Sequence, residues 1–223
     1  MAYANEETLS QAFSFWDGLD EEGKRTLCQQ SAPIAYPKGA HIHDGQECTG
    51  VILVKSGCLR VYLLSETGKE VTLYRLNPGD ICMLSASCVL QSITFDVFVD
   101  AEEDSECLVI ASSAFSAVAE NHPAVKIFAL ETAVSRFSDV MWVMQQILFM
   151  NFDRRLAIFL LDEMARTGDD TLHLTHEQIA RNMGSAREVV SRMLKYFSSE
   201  GMTDVSRKGI KILNKQALQQ LAF

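Results

Sequence analysis

The sequence predicts an α+β chain in three successive parts: short antiparallel strands, one long helix, and a helix pair followed by a small hairpin. Three observations carry this. Residues 31 to about 110 alternate apolar and polar side chains with period two and are cut by glycine-containing turns at about ten-residue spacing. From Pro123 to about 150 there is no further Gly or Pro, and apolar residues recur in steps of three and four. From Thr175 a capping signature, a turn glycine and a second amphipathic stretch follow in close order.

The strands come first. Val51-Ile52-Leu53-Val54 ends at Ser56-Gly57, and Leu59, Val61 and Leu63 alternate with Arg60 and Tyr62. After the turn Glu66-Thr67-Gly68-Lys69, Val71, Leu73 and Arg75 alternate with Thr72 and Tyr74, and Asn77-Pro78-Gly79-Asp80 turns the chain again. Ile93 to Val99 and Cys107 to Ile110 read as further strands, with Glu102-Glu103-Asp104 as a solvated hairpin cap between them. Short strands at this spacing predict a sandwich or barrel.

In the long helix, Ile127, Leu130, Val134, Phe137, Met141, Met144 and Leu148 follow one another at steps of 3, 4, 3, 4, 3 and 4. That is a heptad seam, and its regularity favours a parallel homodimer. A second apolar set, Phe128, Val140, Trp142, Val143 and Ile147, flanks the seam and leaves one face to cover the strands. Asn151 to Asp153 breaks the pattern, Asp153 is placed to cap the next helix, and that helix runs from about Arg154 to Arg166. The expected divisions are 1–122, 123–152 and 153–223.

Composition excludes several classes. No run reaches the length of about 18 apolar residues that a membrane helix needs. The start, MAYANEETLS, lacks the basic and apolar regions of a signal peptide, so a cytoplasmic protein is expected. Cysteines at 28, 48, 58, 82, 88 and 107 form no CxxC pair and read mostly as small buried thiols. The net charge of −9 hides a split: residues 1–125 carry 7 basic and 18 acidic groups, whereas 171–215 carry 8 basic and 4 acidic. An acidic body with a basic C-terminal patch fits a nucleic-acid reader.

The C-terminal segment makes that specific. Thr175 begins a capping box with Gln178, a short helix runs from Glu177 to Met183, and Gly184 ends it. A second helix from about Ser185 to Ser199 puts Arg187, Glu188, Ser191, Arg192 and Lys195 on one polar face. Arg reads guanine edges and Glu accepts from cytosine, while Ser185 and Lys195 suit phosphates. Strands at Thr203–Ser206 and Ile210–Leu213 flank Arg207-Lys208-Gly209, a wing with a basic tip. Cap, turn, helix and wing together predict a DNA-binding winged helix-turn-helix.

With these residues in view, the whole chain resembles the Crp/Fnr family of regulators. Ser56-Gly57-Cys58-Leu59-Arg60-Val61 and Leu76-Asn77-Pro78-Gly79-Asp80 resemble its barrel turns. Phe152-Asp153-Arg154-Arg155-Leu156 resembles its hinge, and Arg187-Glu188-Val189-Val190-Ser191-Arg192-Met193-Leu194-Lys195 its recognition helix. The resemblance implies a double-stranded jelly-roll barrel, a dimerisation helix and a DNA-binding domain that engages two half-sites of duplex DNA. It implies base reading by Arg187, Glu188 and Arg192, phosphate proximity for Thr175 and His176, and RNA polymerase as a partner.

The barrel departs from the cyclic-nucleotide pattern, which pairs Gly-Glu with Arg-Ser or Arg-Thr. After Gly79-Asp80 the chain reads Ile81-Cys82-Met83-Leu84-Ser85-Ala86-Ser87-Cys88-Val89-Leu90, and residues 76–125 hold eight acidic residues and no Lys or Arg. An anionic phosphate there would lack a cation, so cyclic nucleotide binding is not expected unless a cation comes from elsewhere in the chain. An apolar or weakly polar effector between the Cys82–Leu90 segment and the long helix ranks first, with Cys82, Met83, Leu84, Cys88, Met141 and Met144 as its pocket. A thiol switch of Cys82 with Cys88, and a haem held by His41, His43, Met83 or a Cys, come next. An iron–sulfur cluster is disfavoured because Cys28 is the only cysteine near the start, and no metal site is assigned. An enzyme would need convergent ligands, and only His41-x-His43, sharing a strand face, with Glu47 approaches that pattern. The effector's identity stays open.

Overall fold

The computed structural model describes residues 5–44, 49–83 and 97–223. By packing, the chain divides into two units, Met1–Leu63 with Leu73–Val140, and Leu64–Thr72 with Met141–Phe223.

The first unit opens with two helices, α1 (Glu6–Ala12) and α2 (Glu21–Gln29), joined through a 3-10 turn at Trp16–Gly18. The sequence reading assigned no helix here, yet Asp20 caps α2 by accepting from the Gly23 N–H at 2.7 Å. The strands are β1 (Ser31–Tyr36), β2 (His41–His43), β3 (Val51–Ser56), β4 (Leu59–Leu64), β5 (Glu70–Leu76), β6 (Ile81–Cys82), β7 (Phe98–Ala101) and β8 (Ser105–Ile110). Two antiparallel sheets result, in the orders β1-β8-β3-β6 and β2-β7-β4-β5.

Alternation sorts their side chains into two cores. Ile52, Val54, Cys82 and Cys107 from the first sheet meet Leu59, Val61, Leu73, Leu76, Val99 and Ala101 from the second, filling the barrel. Val51, Leu53, Ile81, Leu108 and Ile110 point the other way, onto Phe13, Phe15, Trp16, Leu27, Phe115 and Val125 of the helical layer. That layer includes α3 (Ser112–Asn121) and the start of α4 (Pro123–Phe149). Phe128 lies edge-on to Phe13 and Phe15, at ring separations of 5.5 and 5.2 Å, which ties α4 to the N-terminal helices.

Two expectations for this unit are corrected. β7 and β8 pair in different sheets, so residues 102–104 cross between sheets and cap no hairpin. Glu102 there forms a bidentate pair with Arg75, one bond of which is 3.0 Å from Nη2 to Oε1. His41 and His43 do not share a face, because the register of β2 on β7 shifts between them. His41 is exposed and its Nδ1 sits 2.5 Å from Asp100, while His43 is buried with Nδ1 3.0 Å from Thr49 Oγ1.

The second unit holds α5 (Phe152–Thr167), β9 (Thr171–Leu172), α6 (His176–Met183), α7 (Arg187–Ser199), β10 (Thr203–Ser206), β11 (Gly209–Ile212) and α8 (Lys215–Ala222). Asp153 does not cap α5 from outside: Asn151 holds the N-cap position, and Asp153 lies inside the first turn, its Oδ1 accepting from the Arg154 N–H. Leu156, Leu160, Ile179, Val190, Leu194, Phe197, Ile210 and Leu218 form one buried core. The three strands pair in the order β10-β11-β9. The segment Leu64–Thr72 packs with this unit: Thr72 Oγ1 donates to Asn182 Oδ1 at 2.7 Å, and Glu70 lies 3.6 Å from Arg181.

Along α4 all seven heptad residues are exposed, from 43% at Met141 to 65% at Val134. Val125 and Ala129 on the opposite face are fully buried, so the seam is an apolar stripe that the described residues leave exposed. Trp142 and Ile147 are exposed beside it, whereas Phe128 and Val140 pack inward.

Candidate nucleic-acid interface

Thr175 is the N-cap of α6, and the capping box with Gln178 is complete. Gly184 ends the helix at φ 62. A Cβ there would come within 2.5 Å of Val71 Cγ2, so the turn needs glycine for both conformation and space. Arg155 of α5 donates from Nη2 to the Met183 carbonyl at 2.7 Å, holding the end of α6. Burial lowers the Arg155 pKa from its ordinary value.

α7 then follows from periodicity. Val190, Leu194 and Phe197 are buried in the core, and the opposite face presents Arg187, Glu188, Ser191, Arg192 and Lys195 around one open hollow. Among the described residues none of these five forms an ion pair with the protein, so three cations and one carboxylate face outward with their hydrogen-bonding capacity free. Ser185 lies just before the helix, which begins at Arg187, two residues later than expected, with Ala186 as a cap that makes no side-chain bond.

The wing pairs Thr203 with Ile212, Asp204 with Lys211, Val205 with Ile210 and Ser206 with Gly209, leaving Arg207 and Lys208 exposed at its tip. A cleft of about 340 Å³ lies between this tip and the start of α6, lined by His173, Thr175, His176, Arg207 and Lys208 among others. His173 escaped the sequence reading. It follows β9, whose pairing to β11 is set by residues about forty positions away, and its Nδ1 meets the Lys208 carbonyl at 2.8 Å.

The expected effector pocket is only partly described. Leu84 and Cys88 lie outside the described residues, and with them the proposed Cys82–Cys88 switch. Cys82 and Met83 are both buried but belong to opposite cores, Cys82 inside the barrel and Met83 in the helical layer. Met141 and Met144 are exposed on α4. Cys82 and Cys107 pair with Ile52 and Val54 of β3 from its two sides, which places both thiols in the barrel core. Burial, and then the charge of Cys82, push the Cys107 thiol up to about 11. A cation does reach the barrel from outside residues 76–125. Arg136 of α4 bonds Asp80 at 2.9 Å and Asp139 at 3.2 Å and lies over the Tyr74 ring. Its charge is therefore met by two carboxylates of the chain. Among the described residues no three His, Cys, Asp or Glu side chains gather as a metal site. No described helix is long and apolar enough to cross a membrane.

Comparison with known proteins places this geometry. Residues 154–221 match the model of the Crp-like helix-turn-helix domain, and residues 33–122 that of the cyclic nucleotide-binding domain. A crystal structure from Eubacterium rectale, assigned to the crp/fnr family of transcriptional regulators, is 41% identical, with a TM-score of 0.92. The match covers 96% of this chain and 99% of that one. The cyclic AMP receptor protein of Thermus thermophilus is 24% identical over 84% of this chain and 87% of its own length. The transcriptional activator protein anr of Pseudomonas aeruginosa is 25% identical over 96% and 87%. The chain belongs to the Crp/Fnr family of transcription regulators.

Proposed function

We propose that this regulator is a homodimer that binds two half-sites of duplex DNA through α7 and the wing. Arg187, Glu188 and Arg192 read base edges; Thr175, His176, Ser185, Ser191, Lys195, Arg207 and Lys208 hold the backbone. The observation that carries this is the outward face of α7, where charged groups of the right kinds stand together without partners among the described residues. The uncovered stripe of α4 supports the dimer, since a seam of seven exposed apolar residues at heptad spacing suits a second copy of the same helix.

In this reading residues 1–122 sense an effector, 123–152 dimerise and 153–223 bind DNA, in the cytoplasm, with no catalytic step. An effector shifts the balance between two arrangements of the DNA-binding domains only by binding one of them more tightly. The described barrel interior is aliphatic with buried thiols and phenols, which favours a neutral or weakly polar effector over an anionic one. RNA polymerase is the expected protein partner. The test is selection of binding sites from a random duplex pool by the full chain and by its R187A and R192A variants.

A further inference from the structure

We propose that His173 and His176 are proton-dependent phosphate ligands, so that DNA affinity in this protein rises as pH falls. This rests on the assignment of the wing and the start of α6 to the DNA backbone, and adds to it the chemistry of the cleft between them.

The cleft draws its walls from the residue after β9, the first turn of α6 and the wing tip. His173 and His176 face it together with Arg207 and Lys208, and among the described residues no carboxylate lines it. The nearest acids in sequence are Asp170, just before β9, Glu177, next along α6, and Asp204 on β10. On β11, Lys211 is met by Asp170 at 3.8 Å. Guanidinium and ammonium groups are donors in their ordinary charged form, whereas an imidazole gains its second N–H donor only on protonation.

The hydrogen-bond geometry fixes the sign. The partner of His173 Nδ1 is the Lys208 carbonyl, which only accepts, so Nδ1 carries a proton in every charge state. In the neutral ring Nε2 is then an acceptor and presents a lone pair, which a phosphate oxygen cannot bond. Protonation turns Nε2 into a charged donor while the Nδ1 bond keeps the ring oriented. His176 is half-buried at the first position of α6, where an imidazolium adds a further donor toward the same space. Each imidazolium that meets a phosphate releases counterions, so the salt dependence steepens together with the affinity. Binding takes up protons, and tighter binding at lower pH is the direction linkage requires.

The experiment is fluorescence anisotropy of the full chain with a labelled mixed-sequence duplex. It is run from about pH 6 to about pH 8.5 at several salt concentrations, since imidazole ordinarily titrates near pH 6.5. Affinity is expected to rise about tenfold or more toward the acid end, and the slope of log affinity on log salt to steepen by about 0.9 per imidazolium engaged. H173Q/H176Q should lose the pH dependence, and H176R, with a permanent charge, should bind more tightly than wild type at the alkaline end. Wild-type affinity that is flat across the range overturns the proposal, as does a pH slope that survives in H173Q/H176Q. Absence of DNA binding at every pH would instead overturn the assignment of this surface to DNA.

Discussion

Thr175 and Gln178 close a reciprocal pair at the start of α6: Thr175 Oγ1 accepts from the Gln178 N–H at 3.1 Å, and Gln178 Oε1 accepts from the Thr175 N–H at 2.8 Å. Two backbone donors that a helix start would otherwise leave open are satisfied at once. The helix they begin packs Ile179, Ala180 and Met183 into the core beneath α7, so the cap bears on how the outward face of α7 is held. Thr175→Ala should destabilise the second unit by about 1 kcal/mol. Urea unfolding followed by circular dichroism measures it, and Thr175→Ser should recover most of the loss.

Gly184→Ala should cost more. It places a side chain at φ 62, and its Cβ meets Val71 Cγ2 at 2.5 Å. The conformational part is about 1 kcal/mol. The steric part adds to it and falls on Val71, so Val71→Ala in the same chain should return that part and leave the conformational one. The double-mutant cycle in thermal unfolding separates them, with a coupling of about 1 kcal/mol expected for residues in contact.

Phe137 lies near the middle of the α4 stripe and is 63% exposed in the single chain. Phe137→Glu puts two carboxylates into the proposed seam. Sedimentation should show the wild type as a dimer and the variant as a monomer with an unchanged helix signal. Substitution of exposed Ser135 by Lys, at a heptad position outside the seam and its flanks, should leave the dimer intact.

Cys107 gives a pH dependence with a fixed sign. Its thiol is moved from 9.0 up to about 11 in the folded chain, chiefly by burial. Above pH 9.0 the unfolded chain has released this proton while the folded chain still holds it, so stability falls as pH rises through the interval to about 11 and is complete below it. The slope of stability on pH in that window should diminish in Cys107→Ala. Alkylation of Cys107 in the native protein should stay slow at neutral pH, since the thiolate is the reactive form.

The C-terminal half was legible because its signals are local. Thr175, Gln178 and Gly184 sit within ten residues, and the α7 face follows from helical periodicity alone. The exposed apolar stripe of α4 was legible for the same reason, a repeat read along one element. What escaped depends on distant partners. His173 is oriented by a carbonyl 35 residues away, and Arg136 reaches an aspartate 56 residues before it. The register shift that separates His41 from His43 is a property of the pairing of β2 with β7, invisible in the three residues of the strand. The segment Leu64–Thr72 reads as an ordinary hairpin turn, and only the folded chain shows Thr72 bonded to Asn182, 110 residues on.

The most direct measurement is selection of bound sites from a random duplex pool, followed by competition at fixed salt. The wild-type chain should enrich an inverted repeat whose half-sites are centred about 10–10.5 bp apart or a multiple of that spacing. R187A and R192A should each lose about 1–3 kcal/mol of discrimination at particular positions of the half-site. K208A should weaken binding to every sequence alike and flatten the salt slope by about 0.9. A wild-type pool that enriches no motif, or an enriched motif that R187A and R192A leave unchanged, would contradict DNA reading by the outward face of α7.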